Sequence, residues 1–199
     1  MKNPKLFVGR VTSVLVLMML FDTVMWPSAL TGWTTVGSAG AVDEDSISIV
    51  GLRGPFAELK TNCLFWGIFK VPRWCSVDTG VVTVRYNVVP TGALNSMPAG
   101  GIGTFVFTAR LRDAGNSQRV LLMLKEVNLQ SGDETTLLTV DSDSFASSPN
   151  YQTQPGPRAC GFTFNFDQNA YYVEAQISNY TAGPSPGLET ISISRCANV

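Results

Sequence analysis

The residues with chemistry to offer in this chain are four cysteines and a scatter of carboxylates, and histidine is absent. Without histidine, Ser-His-Asp and Cys-His activation of a nucleophile are excluded, along with the commonest ligand of catalytic zinc. Glycoside hydrolysis needs only two carboxyl groups about 5–9.5 Å apart. Glu58, Asp78, Glu126, Asp167 and Glu174 lie on expected strands or loop edges and are the acids available for it. Scattered acids of this kind are ordinary solvated surface in a soluble domain, so no catalytic residue is assigned. Asp141 and Asp143, in DSDSFASSPN, are the candidates for a loose calcium site. EF-hand spacing fails there, because no Gly follows at the sixth place and no Glu at the twelfth. The stretch PAGGIGTF lacks the Gly-x-Gly-x-x-Gly order and reads as a loop. No cofactor is expected.

Recognition chemistry is better represented. Between Cys63 and Cys75 the sequence LFWGIFKVPRW places Phe65, Trp66, Phe69 and Trp74 close together, with Arg73 beside them. Buried, such rings fill a core; exposed, they stack on sugar rings or anchor a protein interface. Trp66, Arg73, Trp74, Tyr151 and Asn179 are the binding candidates. Asn179-Tyr180-Thr181 also meets the N-glycosylation pattern, in Gly/Pro-rich surroundings that suggest an exposed loop.

These residues are read against a compartment. Lys2, Lys5 and Arg10 precede the uncharged run Val11 to Phe21, a basic region followed by an apolar one. A membrane span needs about 20 apolar residues, and this run meets Asp22 and then Pro27. A cleaved signal peptide over residues 1–41 is expected, with processing after Ala41 at the small-x-small triplet Ala39-Gly40-Ala41, leaving a domain over 42–199. The membrane is then met only transiently, and the protein is secreted or otherwise extracytoplasmic. Four cysteines in an oxidising compartment imply two disulfides, expected as Cys63–Cys75 and Cys160–Cys196. A zinc site is disfavoured, since no two cysteines have CxxC spacing.

The elements that must hold these groups show a period of two. Val82, Val84, Tyr86 and Val88 alternate with Thr83, Arg85 and Asn87, and Phe105, Phe107, Ala109 and Leu111 alternate with Val106, Thr108 and Arg110. Phe162, Phe164 and Phe166 repeat the pattern, followed by Tyr171, Val173, Ala175 and Ile177, then Ile191 and Ile193. One buried and one wet face is the antiparallel signature. Less regular runs at 46–52, 63–69, 119–128 and 135–141 bring the count to about nine strands. Gln130-Ser131-Gly132-Asp133 marks a hairpin turn between the last two of these runs. Asp167-Gln168-Asn169 marks another, between the Phe-rich and Tyr-rich strands. Pro90–Ile102, Ser142–Ala159 and Asn179–Gly187 read as long loops. If consecutive strands alternate in direction, one end of the domain gathers Trp74, Asp113, Asn116, Tyr151 and Asn179. The fold class expected is all-β: a single antiparallel β-sandwich or jelly-roll-like domain of about eight to nine strands.

Charge narrows the partners. Taking Lys2, Lys5, Arg10 and Asp22 away from 14 basic and 15 acidic residues leaves 11 and 14, a net charge of −3. No basic stripe exists to meet phosphate backbones, so nucleic acid is excluded as a partner. The function expected is a non-catalytic binding or surface module for a glycan or protein partner. The alternatives are a structural envelope or appendage subunit, whose edge strand pairs with a neighbour, and a carbohydrate-active enzyme using a carboxylate pair.

Overall fold

The computed structural model describes residues 32–66, 71–95, 104–115, 117–160, 162–181 and 184–195. Within them run thirteen strands: β1 (Trp33–Val36), β2 (Ala41–Val42), β3 (Val50–Arg53), β4 (Phe56–Leu59), β5 (Thr61–Trp66), β6 (Val71–Val77), β7 (Gly80–Val88), β8 (Thr104–Asp113), β9 (Gln118–Asn128), β10 (Glu134–Asp141), β11 (Ser148–Cys160), β12 (Asn169–Asn179) and β13 (Gly187–Arg195). One helical turn, α1 (Gly92–Asn95), follows β7. Among the described residues no helix is long and apolar enough to cross a membrane.

Two antiparallel sheets carry the fold. One has the order β11-β8-β13-β4-β3, with β1 also paired to β13; the other runs β10-β9-β12-β7-β2. The expected all-β antiparallel sandwich is therefore the architecture, with more strands than the eight to nine counted from the sequence. Alternation explains the core. Phe105, Phe107, Ala109 and Leu111 point inward from β8, facing Val82, Val84 and Tyr86 of β7 and Val173, Ala175 and Ile177 of β12, all nearly inaccessible to solvent. Residues between them lie on the outer faces, where Glu174 is nonetheless covered by its neighbours and only 6% exposed. The β9–β10 hairpin forms as its turn residues predict, with one bulge between Thr136 and Leu138.

Three expectations are corrected. Ser142–Ala159 is mostly strand β11, the edge of the six-stranded sheet, paired to β8 with two irregularities in its register. Its Pro155 and Pro157 look like loop residues but are tolerated at an edge, where one side of the strand makes no ladder. The Phe162–Phe166 run forms no strand. Its three rings instead cluster on Tyr171, with centroids 4.8–6.1 Å away, and Phe164 meets Phe105 edge-on at 5.1 Å. Strand 46–52 is replaced by a 3₁₀ turn at Glu44–Ser46 and the later β3.

Described residues ahead of 42 are packed: Trp33, only 6% exposed, opens β1. The boundary expected after Ala41 falls inside β2, where Ala41 pairs with Arg85.

Candidate functional site

On the outer face of the six-stranded sheet, residues of three strands, β4, β8 and β13, gather around Tyr151. Its strand, β11, lies beside β8, and β13 and β4 follow in order. The Tyr151 hydroxyl nevertheless donates to Glu58 Oε1 on β4. Reaching across strands spaced about 4.8 Å apart requires the phenol to lie along the sheet. Gly187 of β13 makes this possible: it pairs with both Arg112 and Glu58, and a Cβ there would overlap the Tyr151 oxygen and come within 2.9 Å of Glu58 Cγ.

Two neighbours and one acceptor hold the ring. The Arg112 guanidinium lies 4.8 Å from the ring centroid, a cation–π distance. Its NH2 donates to Glu58 Oε1 at 3.0 Å and its Nε to the Ser185 carbonyl at 2.6 Å. The Phe56 ring sits 4.8 Å away, tilted by 32°. Two residues further along the strands, Arg110 Nε donates to Glu189 Oε2 at 2.5 Å. Burial first, and then the Glu58 carboxylate, push the Tyr151 phenol above its ordinary pKa, so it remains a donor throughout the physiological range. Phe56, Glu58, Arg112 and Tyr151 are all half-buried. The result is a rigid aromatic ledge bordered by hydrogen-bonding groups of both charges. It suits a neutral polyhydroxylated ligand, whose apolar ring faces stack while its hydroxyls meet carboxylate and guanidinium.

The other candidates lie elsewhere. Trp66, Arg73 and Trp74 belong to β5–β6, a two-stranded ribbon of its own with Trp66 opposite Val71 and Trp74 opposite Leu64. Their side chains lie outside the described residues, as does Asn116. Cys63 and Cys75 face each other in this ribbon and form the expected disulfide, with Cα atoms 4.1 Å apart. Cys196, and with it the Cys160–Cys196 pairing, falls outside the described residues. Asn179 is not in an exposed loop: it ends β12, pairs with Gly80 and Gln118, and is 0% exposed. Its Nδ2 donates weakly to the Asp78 carbonyl at 3.4 Å, and its Oδ1 has no hydrogen-bond partner among the described residues. In the folded protein a glycosyl transferase could not reach this amide.

The acids are largely occupied. Glu58 is ion-paired as described, and Glu174 lies between Arg85 Nε at 3.0 Å and Lys125 Nζ at 3.3 Å on the outer face of the five-stranded sheet. Asp78 accepts from Asn62 Nδ2 at 2.7 Å, Glu126 stands opposite Tyr171 across the β9–β12 ladder, and Asp167 borders a hollow at the β9–β10 turn. Among the described residues no three His, Cys, Asp or Glu side chains converge as a metal site requires.

Asp141 and Asp143, the calcium candidates, both face Arg119: its Nε meets Asp141 Oδ1 at 2.9 Å and Asp143 Oδ2 at 3.5 Å, and its NH2 takes Asp141 Oδ2. The Arg119 hydrogen bond, partly opposed by burial, holds the Asp141 carboxyl below its ordinary pKa. The contact therefore adds stability at neutral pH and loses it as pH falls through the lowered folded value. With Arg119 43% exposed, screening limits the contribution to about 0.5–1 kcal/mol. Asp141→Asn is expected to lower the melting temperature slightly at pH 7, with the gap to the unmodified protein closing below about pH 3. A gap constant from pH 7 to 2 would show that the ion pair contributes nothing.

Comparison with known proteins adds the following. No family model matches the chain, and no curated protein matches it. Among solved structures, a xylan-binding domain from carbohydrate-binding module family 22, formally the x6b domain, is 16% identical, with 81% of this chain and 99% of that chain covered and a TM-score of 0.36. A family 11 carbohydrate-binding module from Clostridium thermocellum, in complex with a β-1,3-1,4-mixed-linked tetrasaccharide, is 11% identical, with 85% and 91% covered and a TM-score of 0.32. No residue role is carried over from either.

Sequence reasoning singled out Tyr151 but missed Phe56, Arg112 and Gly187. Arg112 follows Arg110 on the polar side of an alternating strand, a signal that was legible. Gly187 had none, because it sat at the end of an expected loop.

Proposed function

We propose that this is an exported, non-catalytic glycan-binding module whose recognition surface is the Tyr151 ledge on the outer face of the six-stranded sheet. The observation that carries the reading is the pre-set ring. Tyr151 is laid along the sheet over Gly187 and held by Glu58, Arg112 and Phe56 before any ligand arrives. Immobilised side chains lose little entropy on binding, which is where a flat site gains affinity. The pairing of Glu58 and Glu174 with cations supports binding over hydrolysis, because neither is placed as a free acid or base. The disulfide supports export, since such bonds persist in oxidising compartments.

The test is titration calorimetry against a panel of soluble plant and microbial glycans, including xylan and mixed-linkage β-glucan. Saturable binding of one class without turnover is expected. Tyr151→Ala should weaken it at least tenfold, about 1.4 kcal/mol, while the melting temperature shows that the variant still folds. A folded Tyr151→Ala variant that binds as well as the unmodified chain would remove the ledge from the proposal, and release of reducing sugar would replace binding by catalysis.

A further inference from the structure

The segment Trp33–Val42 joins the two sheets. β1 pairs with β13 from Trp33 opposite Ile193 to Val36 opposite Thr190, and β2 pairs with β7 on the other sheet. The link between them is a 3₁₀ turn, Gly37–Ala39. The buried Tyr86 hydroxyl donates to the Gly37 carbonyl at 2.6 Å. A Cβ on Gly37 would overlap the Leu188 carbonyl oxygen and lie 2.8 Å from the Ala57 nitrogen, and one on Gly40 would run into Val84 and Tyr86. Close packing thus demands glycine at 37 and 40, while Ala39 and Ala41 of the peptidase-like triplet are exposed.

We infer that Trp33–Val42 belongs to the mature protein and that leader processing occurs at or before Thr31. This rests on the reading of the N-terminus as an export signal. Gly32, the first of the described residues, is already close-packed: a Cβ there would overlap the Ile193 carbonyl oxygen. Just ahead of it, Ala29-Leu30-Thr31 supplies a small-x-small triplet. Hydrolysis there adds one water across the Thr31–Gly32 bond, leaving a carboxylate on Thr31 and an ammonium on Gly32, with β1 intact. Cleavage after Ala41 would instead remove Trp33 from the core and the acceptor from the Tyr86 hydroxyl.

The experiment is intact mass and N-terminal sequencing of the full-length chain expressed with its own leader and recovered from outside the cytoplasm. A first residue from Thr23 to Gly32 is the expected result. A first residue at Trp33 or later overturns the inference and leaves the export reading in place. A start at or before Asp22 overturns the leader reading and the inference with it.

Discussion

A chain beginning at Val42 is expected to melt about 10–20 °C below one beginning at Gly32 and to elute as a concentration-dependent oligomer. Trp33 is 6% exposed and packs in the core cluster; removing a buried Trp side chain costs about 3–5 kcal/mol. For a domain of this size each kcal/mol moves the midpoint by about 2–4 °C. The truncation also leaves the Tyr86 hydroxyl without the Gly37 carbonyl, and an unsatisfied buried donor costs a further ~1–3 kcal/mol. β13 would then present an open edge at Thr190–Ile193, with the fully buried Ile191 and Ile193 losing their cover. An unpaired edge flanked by apolar side chains invites a strand from another molecule. A synthetic peptide spanning Gly32–Ala41 should therefore restore both the melting point and the monomer. Equal melting of the two chains would mean that β1 contributes nothing, and the inference about processing would lose its physical basis.

Why the N-terminal strands escaped sequence reading is the same reason they matter. β1 and β2 are four and two residues long, too short to show alternation, and they lie in a small, weakly polar stretch that resembles the end of a leader. β7, β8, β9, β12 and β13 were legible because each keeps one aliphatic or aromatic face inward over several residues. β11 was not: its residues Gln152 and Gln154 stand opposite the inward-facing Leu111 and Ala109, so its buried side is written in amides. The Phe162–Phe166 run shows the reverse error. Alternation records an extended backbone, but a ladder needs a neighbouring strand, and here the rings pack on one another instead. Asn179 was misplaced because β12 runs two residues past Ile177, its last alternating apolar residue. The site itself was readable only in part, since Tyr151 and Glu58 are 93 positions apart in sequence and meet through a strand order that periodicity does not encode.

Gly187→Ala is expected to abolish most of the ligand affinity while leaving the melting temperature within a few degrees. The new methyl would overlap the Tyr151 hydroxyl and crowd Glu58 Cγ at 2.9 Å, with the Ala57 carbonyl oxygen at 3.3 Å. The worst overlap is with the hydroxyl at the tip of the Tyr151 side chain, which can rotate about its χ angles, so the clash is relieved at small cost to the fold. Replacing a strand glycine also restricts the unfolded chain, which returns about 0.4–1 kcal/mol where the backbone is compatible. What cannot be kept is the ring's position. Once the hydroxyl leaves Glu58, Tyr151 regains rotamer freedom and Arg112 loses the ring it faces. Binding should then fall at least tenfold, about 1.4 kcal/mol, close to the Tyr151→Ala variant, and the double variant should be no worse than either alone, because the two changes remove one shared arrangement. Additive losses in the double variant would show that Gly187 acts on the ligand by some other route. Full affinity in folded Gly187→Ala would show that the position of the ring does not matter.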